Sequence, residues 1–203
     1  MKALYVTDRS SAGTDRLSRV LTALAGAPDL TVQLRERDAP DRETLDLARR
    51  CREWLGPAVP FFVNRRLDLA LAAGADGVHL PADGLPPRRV RAATPRGFRI
   101  GVSTHSAEEA RAAIAEGADV VLLGPIFDTP SKRAYGAPVG PQALADLPEA
   151  CEHASAVYAI GGVDEAALEA LAPYRDRIAG IAAVRLFQDA SDPRAVCDRI
   201  ARR

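Results

Sequence analysis

The sequence carries no excess of charge and no long apolar run, and each absence excludes a class of function. Its 203 residues include 27 basic and 27 acidic side chains, so the formal net charge is zero. Such a chain has no long-range field to attract nucleic acid or an anionic membrane. No stretch approaches the roughly 20 apolar residues of a membrane span, and the first apolar run is too short for a signal peptide. We expect a cytoplasmic protein with small-molecule ligands and no nucleic-acid or membrane partner.

Cysteine is scarce, with three residues in the chain. Cys51, Cys151 and Cys197 are far apart, odd in number and without the spacing of a metal site. We expect buried free thiols, as in a protein of a reducing compartment.

Short apolar segments alternate with amphipathic helical segments along the whole chain. The amphipathic segments carry Ala, Leu and charged residues at helical spacing, and several begin at Ser or Asp and end at Gly. The apolar segments predict eight strands: ALYVT, LTVQLRE, VPFFVN, GVHL, FRIGVS, VVLLGPIF, AVYAIGG and GIAAVRLF. This alternation predicts a single-domain (β/α)8 TIM barrel over residues 1–203, with an open doubly wound sheet as the alternative.

Polar residues rich in hydrogen-bond donors follow the predicted carboxyl ends of the strands. In a barrel of parallel strands this rim carries the active site. Hydroxyls, cationic groups and a Gly-Gly pair before a helix that starts at Asp164 are typical of a phosphate site. The candidates are Gln33, Arg35, Arg37, Asn64, Arg65, Ser103, His105, Thr129, Ser131, Lys132, Gly161, Gly162 and Arg185.

Plainer structural interpretations stand beside these functional ones. The Gly-Gly pair is also typical of a tight turn, and Arg35 could be a rim residue in a salt bridge with Glu36. His79, among apolar neighbours, is interpreted as a hydrogen-bonded core histidine rather than a ligand. Ser106, with an acidic residue three positions later, predicts a helix cap. His105 is a candidate for proton transfer, because histidine readily moves protons near neutral pH.

Four segments together resemble a known family. They are TVQLRERD, FFVNRRLDLALAAGADGVHL, GVSTHSAEEARAAIAEGADVVLLGPIFDTPSK and AIGGV. They resemble, in order, the signatures of the thiamine phosphate synthase and TenI superfamily of small (β/α)8 barrels, from about Tyr5 to Val184. The resemblance implies a transferase of thiamine biosynthesis, which couples 4-amino-2-methyl-5-hydroxymethylpyrimidine pyrophosphate with hydroxyethylthiazole phosphate. The products are thiamine phosphate and pyrophosphate.

The resemblance also implies a role for each candidate residue. The pyrimidine pyrophosphate is expected to contact Gln33, Arg35, Arg37, Asn64, Ser103 and Lys132. The thiazole phosphate is expected to contact Thr129, Ser131, Gly161, Gly162 and Arg185, the last replacing a serine of the family pattern. The expected catalytic residues are Lys132, Ser103 and His105.

Two departures from the family pattern concern magnesium. The family usually has aspartates after the third and fourth strands, where this chain has Arg65 and Gly84. Asp83 is the nearest substitute ligand, and Arg65 is an alternative that would face the pyrophosphate directly. The use of Mg²⁺ therefore stays open at this stage.

The same departures favour one alternative function, and a second alternative from another class stands beside it. A TenI-like thiazole tautomerase, which shifts a proton on a thiazole carboxylate phosphate, would use His105 and needs neither pyrophosphate nor magnesium. A barrel that binds thiazole or thiamine phosphates without turnover is the other. The oligomeric state is open, a homo-oligomer included.

Overall fold

Eight parallel strands form a closed barrel, as the sequence predicts, and the open sheet is excluded. A computed structural model describes residues 1–129, 137–149 and 155–203 of the chain. The strands follow one another in chain order. They are β1 (Lys2–Val6), β2 (Leu30–Leu34), β3 (Phe61–Asn64), β4 (Gly77–Leu80), β5 (Arg99–Thr104), β6 (Val120–Leu123), β7 (Ala156–Ile160) and β8 (Gly180–Ala183). Every residue of β2, β4, β6 and β8 is buried, as expected for a parallel sheet covered on both faces.

Helices connect these strands. In the described ranges they are α1 (Arg9–Ala12), α2 (Thr14–Ala23), α3 (Asp41–Leu55), α4 (Leu67–Ala72), α5 (Pro87–Arg91), α6 (Ala107–Ala115), α7 (Glu165–Leu171), α8 (Arg185–Gln188) and α9 (Pro193–Ala201). Among the described residues, 3₁₀ helices cover Pro141–Leu144 and Ala172–Tyr174. None of the described helices has the length and apolar character needed to cross a bilayer.

The last strand is shorter than the predicted segment GIAAVRLF. The strand stops at Ala183, and the next residues form α8. Phe187 of this helix packs on Tyr5, with ring centroids 5.5 Å apart. Gln188 is buried, accepts a hydrogen bond from the Tyr5 hydroxyl (3.4 Å) and donates one to Ser11 Oγ (2.8 Å). These contacts anchor α8, so Arg185 is the first residue of a helix rather than the end of a strand.

The chain forms two compact units. One unit comprises Lys2–His79 and Val184–Arg202, and the other comprises Leu80–Ala183 with the two terminal residues. The first contains β1 to β3 with α1 to α4 and the last two helices, and the second contains β5 to β8 with α5 to α7. The single domain over residues 1–203 stays a prediction.

A repeated Gly-Ala-Asp sequence, before β4 and before β6, has the same structure in both places. Asp76 accepts a hydrogen bond from the first backbone N–H of β3 (2.7 Å) and pairs with Arg52 of α3. Asp119 accepts one from the second N–H of β5 (2.6 Å) and pairs with Arg91 of α5 (2.5 Å). Each carboxylate thus joins a strand to the helix before it at the amino ends of the strands, which in this fold serve stability.

Two cysteines have the properties predicted for them. Cys51 and Cys197 are buried free thiols. Burial raises the pKa of Cys51 to about 12 and that of Cys197 to about 11, so both stay protonated at neutral pH. Cys151 lies outside the described residues.

His79 is a core residue, as predicted, and only 1% of its surface is exposed. Burial lowers the pKa of its imidazole from 6.5 to about 3, because the interior disfavours the charged form. The folded chain therefore holds this side chain neutral at every pH above that value.

We expect this neutral histidine to make the fold sensitive to mild acid. Below pH 6.5 the unfolded chain protonates His79, whereas the folded chain does so only near pH 3. Stability is thus complete above the unfolded pKa and declines as the pH falls, by about 2 kcal/mol at about pH 5. Urea unfolding at about pH 7.5 and about pH 5 should show this extra loss in the wild type and not in His79→Asn. An identical pH dependence in both proteins would contradict it.

Candidate active site

Five candidate residues in the unit of Lys2–His79 lie at or just beyond the carboxyl ends of two neighbouring strands. We call them the β2–β3 donors: Gln33, Arg35, Arg37, Asn64 and Arg65. The strands pair in parallel, with Leu34 opposite Val63, so Arg35 comes level with Asn64. Neighbouring strands lie about 4.8 Å apart, which brings these side chains within reach of one ligand.

Gln33 and Asn64 lie on the face of the sheet that points away from the helices. Phe61 touches Arg52 of α3, with the guanidinium carbon 5.3 Å from the ring centroid, and alternation along β3 puts Asn64 on the other face. Gln33, opposite Phe62, shares the face of Asn64. Gln33 is 2% exposed, and its Nε2 donates to no residue that the structure describes. A buried amide donor without an acceptor costs free energy, so this N–H group is suited to a ligand.

Arg35 does not form the salt bridge with Glu36 that was the alternative to a phosphate role. Glu36 instead accepts a hydrogen bond from Arg9 Nε (2.9 Å), and Arg9 Nη1 reaches Glu43 (2.6 Å). The backbone N–H of Arg35 donates to Thr7 Oγ1 (3.1 Å) and fixes the main chain there. Arg35 is half-buried, and its guanidinium has no ion pair in the described part of the chain, so it is available to an anion.

Arg37, Arg65 and Arg185 are exposed. None of the three guanidinium groups has an ion pair within residues 1–129, 137–149 and 155–203. Arg185 stands at the start of α8, where the sequence predicted a strand, and Gln188 fixes that helix on Tyr5.

The unit of Leu80–Ala183 carries a second set of candidates, which we call the β5–β7 donors. In the described ranges they are Ser103, His105, Thr129, Gly161 and Gly162. Ser103 is a half-buried residue of β5, opposite Leu122 of β6. Ser131 and Lys132 lie outside the described residues, so their predicted roles stay predictions.

His105 is held in a defined orientation at the end of β5. Its Nδ1 lies 2.7 Å from the carbonyl oxygen of Gly124, and its backbone N–H donates to Glu109 Oε2 (2.7 Å). The carbonyl can only accept, so Nδ1 carries the proton and Nε2 has a free lone pair when the ring is neutral. Ser106 caps α6 as predicted, because its Oγ accepts the N–H of Glu109 (3.1 Å).

The Gly161-Gly162 pair is required by the loop that follows β6. Both residues have positive φ, +97° and +65°. A Cβ on Gly161 would lie 2.6 Å from Pro125, and one on Gly162 would lie 2.6 Å from the carbonyl oxygen of Asp128. The Phe127 N–H donates to the Gly161 oxygen (3.0 Å). Sequence reasoning recognised the turn but missed this packing, whose signal was the apolar GPIF segment just before Thr129.

The described residues do not offer a set of ligands that fits magnesium. Asp83 is exposed in a turn that the Gly84 N–H closes on the Pro81 oxygen (3.0 Å). A Cβ at position 84 would stand 3.0 Å from the same oxygen, so a carboxylate would be crowded there. No cluster of three His, Cys, Asp or Glu side chains suited to a metal occurs in the described ranges. The predicted ligand, Asp83, therefore stands without companions there.

The profile of one family, described as thiamine monophosphate synthase, matches residues 3–187. The chain is 45% identical to a Geobacter sulfurreducens relative over 196 residues, 95% of this chain and 89% of that protein. It is 41% identical to the thiamine-phosphate synthase of Methanoculleus marisnigri over 202 residues, 98% of this chain and 95% of that protein. The solved thiamine phosphate pyrophosphorylase of Pyrococcus furiosus is 28% identical, with a TM-score of 0.80 over 99% of this chain and 94% of the other. With the barrel and the donors at its strand ends, these matches show that the chain belongs to the thiamine monophosphate synthase family.

Proposed function

We propose that this chain is a transferase that couples the pyrimidine methyl pyrophosphate with hydroxyethylthiazole phosphate and releases pyrophosphate. The relatives named thiamine-phosphate synthase support this activity. The observation that carries it is the pair of donors at the carboxyl end of β2, Gln33 and Arg35. Gln33 has a buried N–H group without an acceptor, and the Arg35 guanidinium beside it has no carboxylate. Both groups suit phosphoryl oxygens.

The proposed reaction needs charge stabilisation more than it needs a base. The bond between the pyrimidine methylene carbon and the pyrophosphate oxygen breaks, and its electron pair leaves with the pyrophosphate. The thiazole nitrogen then bonds to the methylene carbon through its lone pair, and no proton has to be removed. Donors that bind the leaving oxygens therefore make the largest reduction in the activation free energy. Alignment of the two substrates supplies the rest of that reduction.

We assign the two phosphorylated substrates to the two sets of donors. The β2–β3 donors take the pyrophosphate, because they include the unpaired guanidinium groups. Thr129 and the Gly162 N–H of the β5–β7 donors take the thiazole phosphate, with Ser131 expected to add a hydroxyl. Lys132 is expected to add an ammonium group to the pyrophosphate. Ser103 is assigned to the pyrimidine substrate. These assignments rest on the family pattern and on the chemistry of the side chains.

A coupling assay with both substrates tests this function. The purified chain should form thiamine phosphate and release one pyrophosphate for each product. Lys132→Ala should reduce turnover by at least about 10²-fold, as expected when a cation on a leaving group is lost. The matched control is Lys2→Ala, since Lys2 is the other lysine of the chain and is exposed at the amino end of β1. A fully active Lys132→Ala enzyme would contradict the assignment of that residue.

The orientation of His105 favours one second candidate, a thiazole tautomerase. Its ring is fixed through Nδ1, which leaves Nε2 as a proton acceptor. If the coupling assay yields no product, the chain should isomerise a thiazole carboxylate phosphate, and His105→Ala should abolish that reaction. If the chain binds phosphate esters but catalyses neither the coupling nor the isomerisation, it is a non-catalytic binder.

We place the protein in the cytoplasm, which the two buried free thiols support. Its proposed partners are the two small phosphorylated substrates.

A further inference from the structure

Several acidic side chains close in sequence to the β2–β3 donors are paired with other arginines. Arg9 binds both Glu36 and Glu43. Arg66 binds Asp41 through both terminal nitrogens and binds Asp68 (2.7 Å). Hydrogen bonds to Asp68 and Asp41 raise the pKa of Arg66.

This pairing leaves local positive charge on a chain whose formal net charge is zero. Arg35, Arg37 and Arg65 have no ion pair in the described part of the chain. Of the carboxylates at the ends of β1 and β2, Asp38 is exposed, and Asp8 accepts hydrogen bonds from two serine hydroxyls. The ends of β2 and β3 are therefore rich in uncompensated guanidinium groups.

Arg65 is held in a backbone conformation that a residue with a side chain seldom adopts. Its φ is +65°, and Arg66 donates its N–H to the Asn64 oxygen (2.8 Å) across it. Such a three-residue turn with positive φ is rare and strained. The Arg65 N–H donates to the His79 oxygen (2.8 Å), which continues the pairing of β3 with β4. The structure thus maintains an exposed, unpaired guanidinium one residue beyond Asn64 despite the strain.

We infer that Arg65, together with Arg35 and Arg37, binds the pyrophosphate group directly and supplies the positive charge that a divalent ion would otherwise provide. A guanidinium group binds phosphoryl oxygens through two parallel N–H bonds and stays charged at any accessible pH. Three guanidinium groups carry positive charge that matches the negative charge of inorganic pyrophosphate. Isolated carboxylates such as Asp83 are negative themselves and could hold the anion only through a metal ion. The chain therefore binds pyrophosphate without Mg²⁺. The inference rests on the proposed function only in its choice of ligand.

Titration calorimetry with inorganic pyrophosphate, in a buffer that contains a chelator, tests this inference. The wild type should bind in the chelator about as tightly as it does with Mg²⁺. Arg65→Asn should weaken binding in the chelator at least tenfold, about 1.4 kcal/mol. Asparagine is chosen because it tolerates positive φ, so the variant keeps the fold. Arg65→Lys keeps the charge and loses the two parallel bonds. It should bind pyrophosphate more tightly than Arg65→Asn and more weakly than the wild type.

Arg99→Gln is the matched control, and it should bind like the wild type. Arg99 is an exposed arginine without an ion pair in the described ranges, and it lies at the amino end of β5. Pyrophosphate binding that requires Mg²⁺, or that is unchanged in Arg65→Asn, would overturn the inference. Because the probe is pyrophosphate alone, a failed coupling reaction with metal-free, Arg65-dependent binding would reject the proposed function and leave the inference standing.

Discussion

Replacement of Arg35 with glutamine should lower kcat/KM for thiamine phosphate formation by roughly 10²–10³-fold, the typical effect of losing one donor to developing negative charge. The guanidinium is half-buried and has no carboxylate partner in the described residues. Glutamine keeps the backbone N–H that donates to Thr7 Oγ1, so the main chain of the β2 loop should stay in place. The free energy of unfolding should change by no more than about 0.5 kcal/mol.

Arg49→Gln provides the control for this prediction. Arg49 is exposed on α3 and, among the described residues, has no ion pair, so its replacement should leave both kcat/KM and stability unchanged. Steady-state kinetics for the pyrimidine substrate and urea unfolding of both variants separate the catalytic effect from a structural one. If kcat/KM of Arg35→Gln were within threefold of the wild-type value, the β2–β3 donors would not be the pyrophosphate site.

Gly162→Ala is expected to have the largest effect on stability, a loss of about 2–4 kcal/mol. The added methyl group would lie 2.6 Å from the Asp128 oxygen and 2.7 Å from Phe127 Cβ, so the loop after β6 would have to move. Overpacking of this kind costs about 1–3 kcal/mol, and the positive φ of +65° adds about 1 kcal/mol for a residue with a Cβ. Displacement of the loop that leads to Thr129 should also reduce turnover.

Gly74→Ala separates the two contributions. Gly74 is the left-handed residue after α4, has nearly the same φ, +64°, and a Cβ there would meet nothing within 4 Å. Its replacement should cost only the conformational term, about 1 kcal/mol. The difference between the two variants in urea unfolding therefore measures the contact with the loop. Equal losses would mean that the loop adapts and that Gly162 is needed only for its φ.

The strands could be predicted from sequence because each is a short buried segment bounded by turn residues. The failures occur where tertiary contacts override that local signal. Arg185 and Phe187 follow an apolar segment, yet they turn into α8 because Phe187 packs on Tyr5. Likewise β6 ends at Leu123 rather than within GPIF, because Gly124 and its successors pack against the end of β7.

Site residues could be recognised by their type and by their position after a strand. The sequence could not show which of these residues are paired with a carboxylate, because a paired arginine and an unpaired one have the same sequence signature. The salt bridge considered for Arg35 and Glu36 was plausible from adjacency along the chain. The structure pairs Glu36 with Arg9, which is 27 residues away in sequence, and so leaves Arg35 available.

The sequence by itself determined the alternation of strands and helices, the family, and the donors that follow the strands, since each depends on local composition and order. Only the tertiary structure decided which guanidinium groups are neutralised, how His105 is oriented and why Gly162 has no side chain. Ion pairs, hydrogen bonds and close packing depend on distances of a few ångströms. Those distances are set by strands and loops that are remote in sequence and adjacent in the fold.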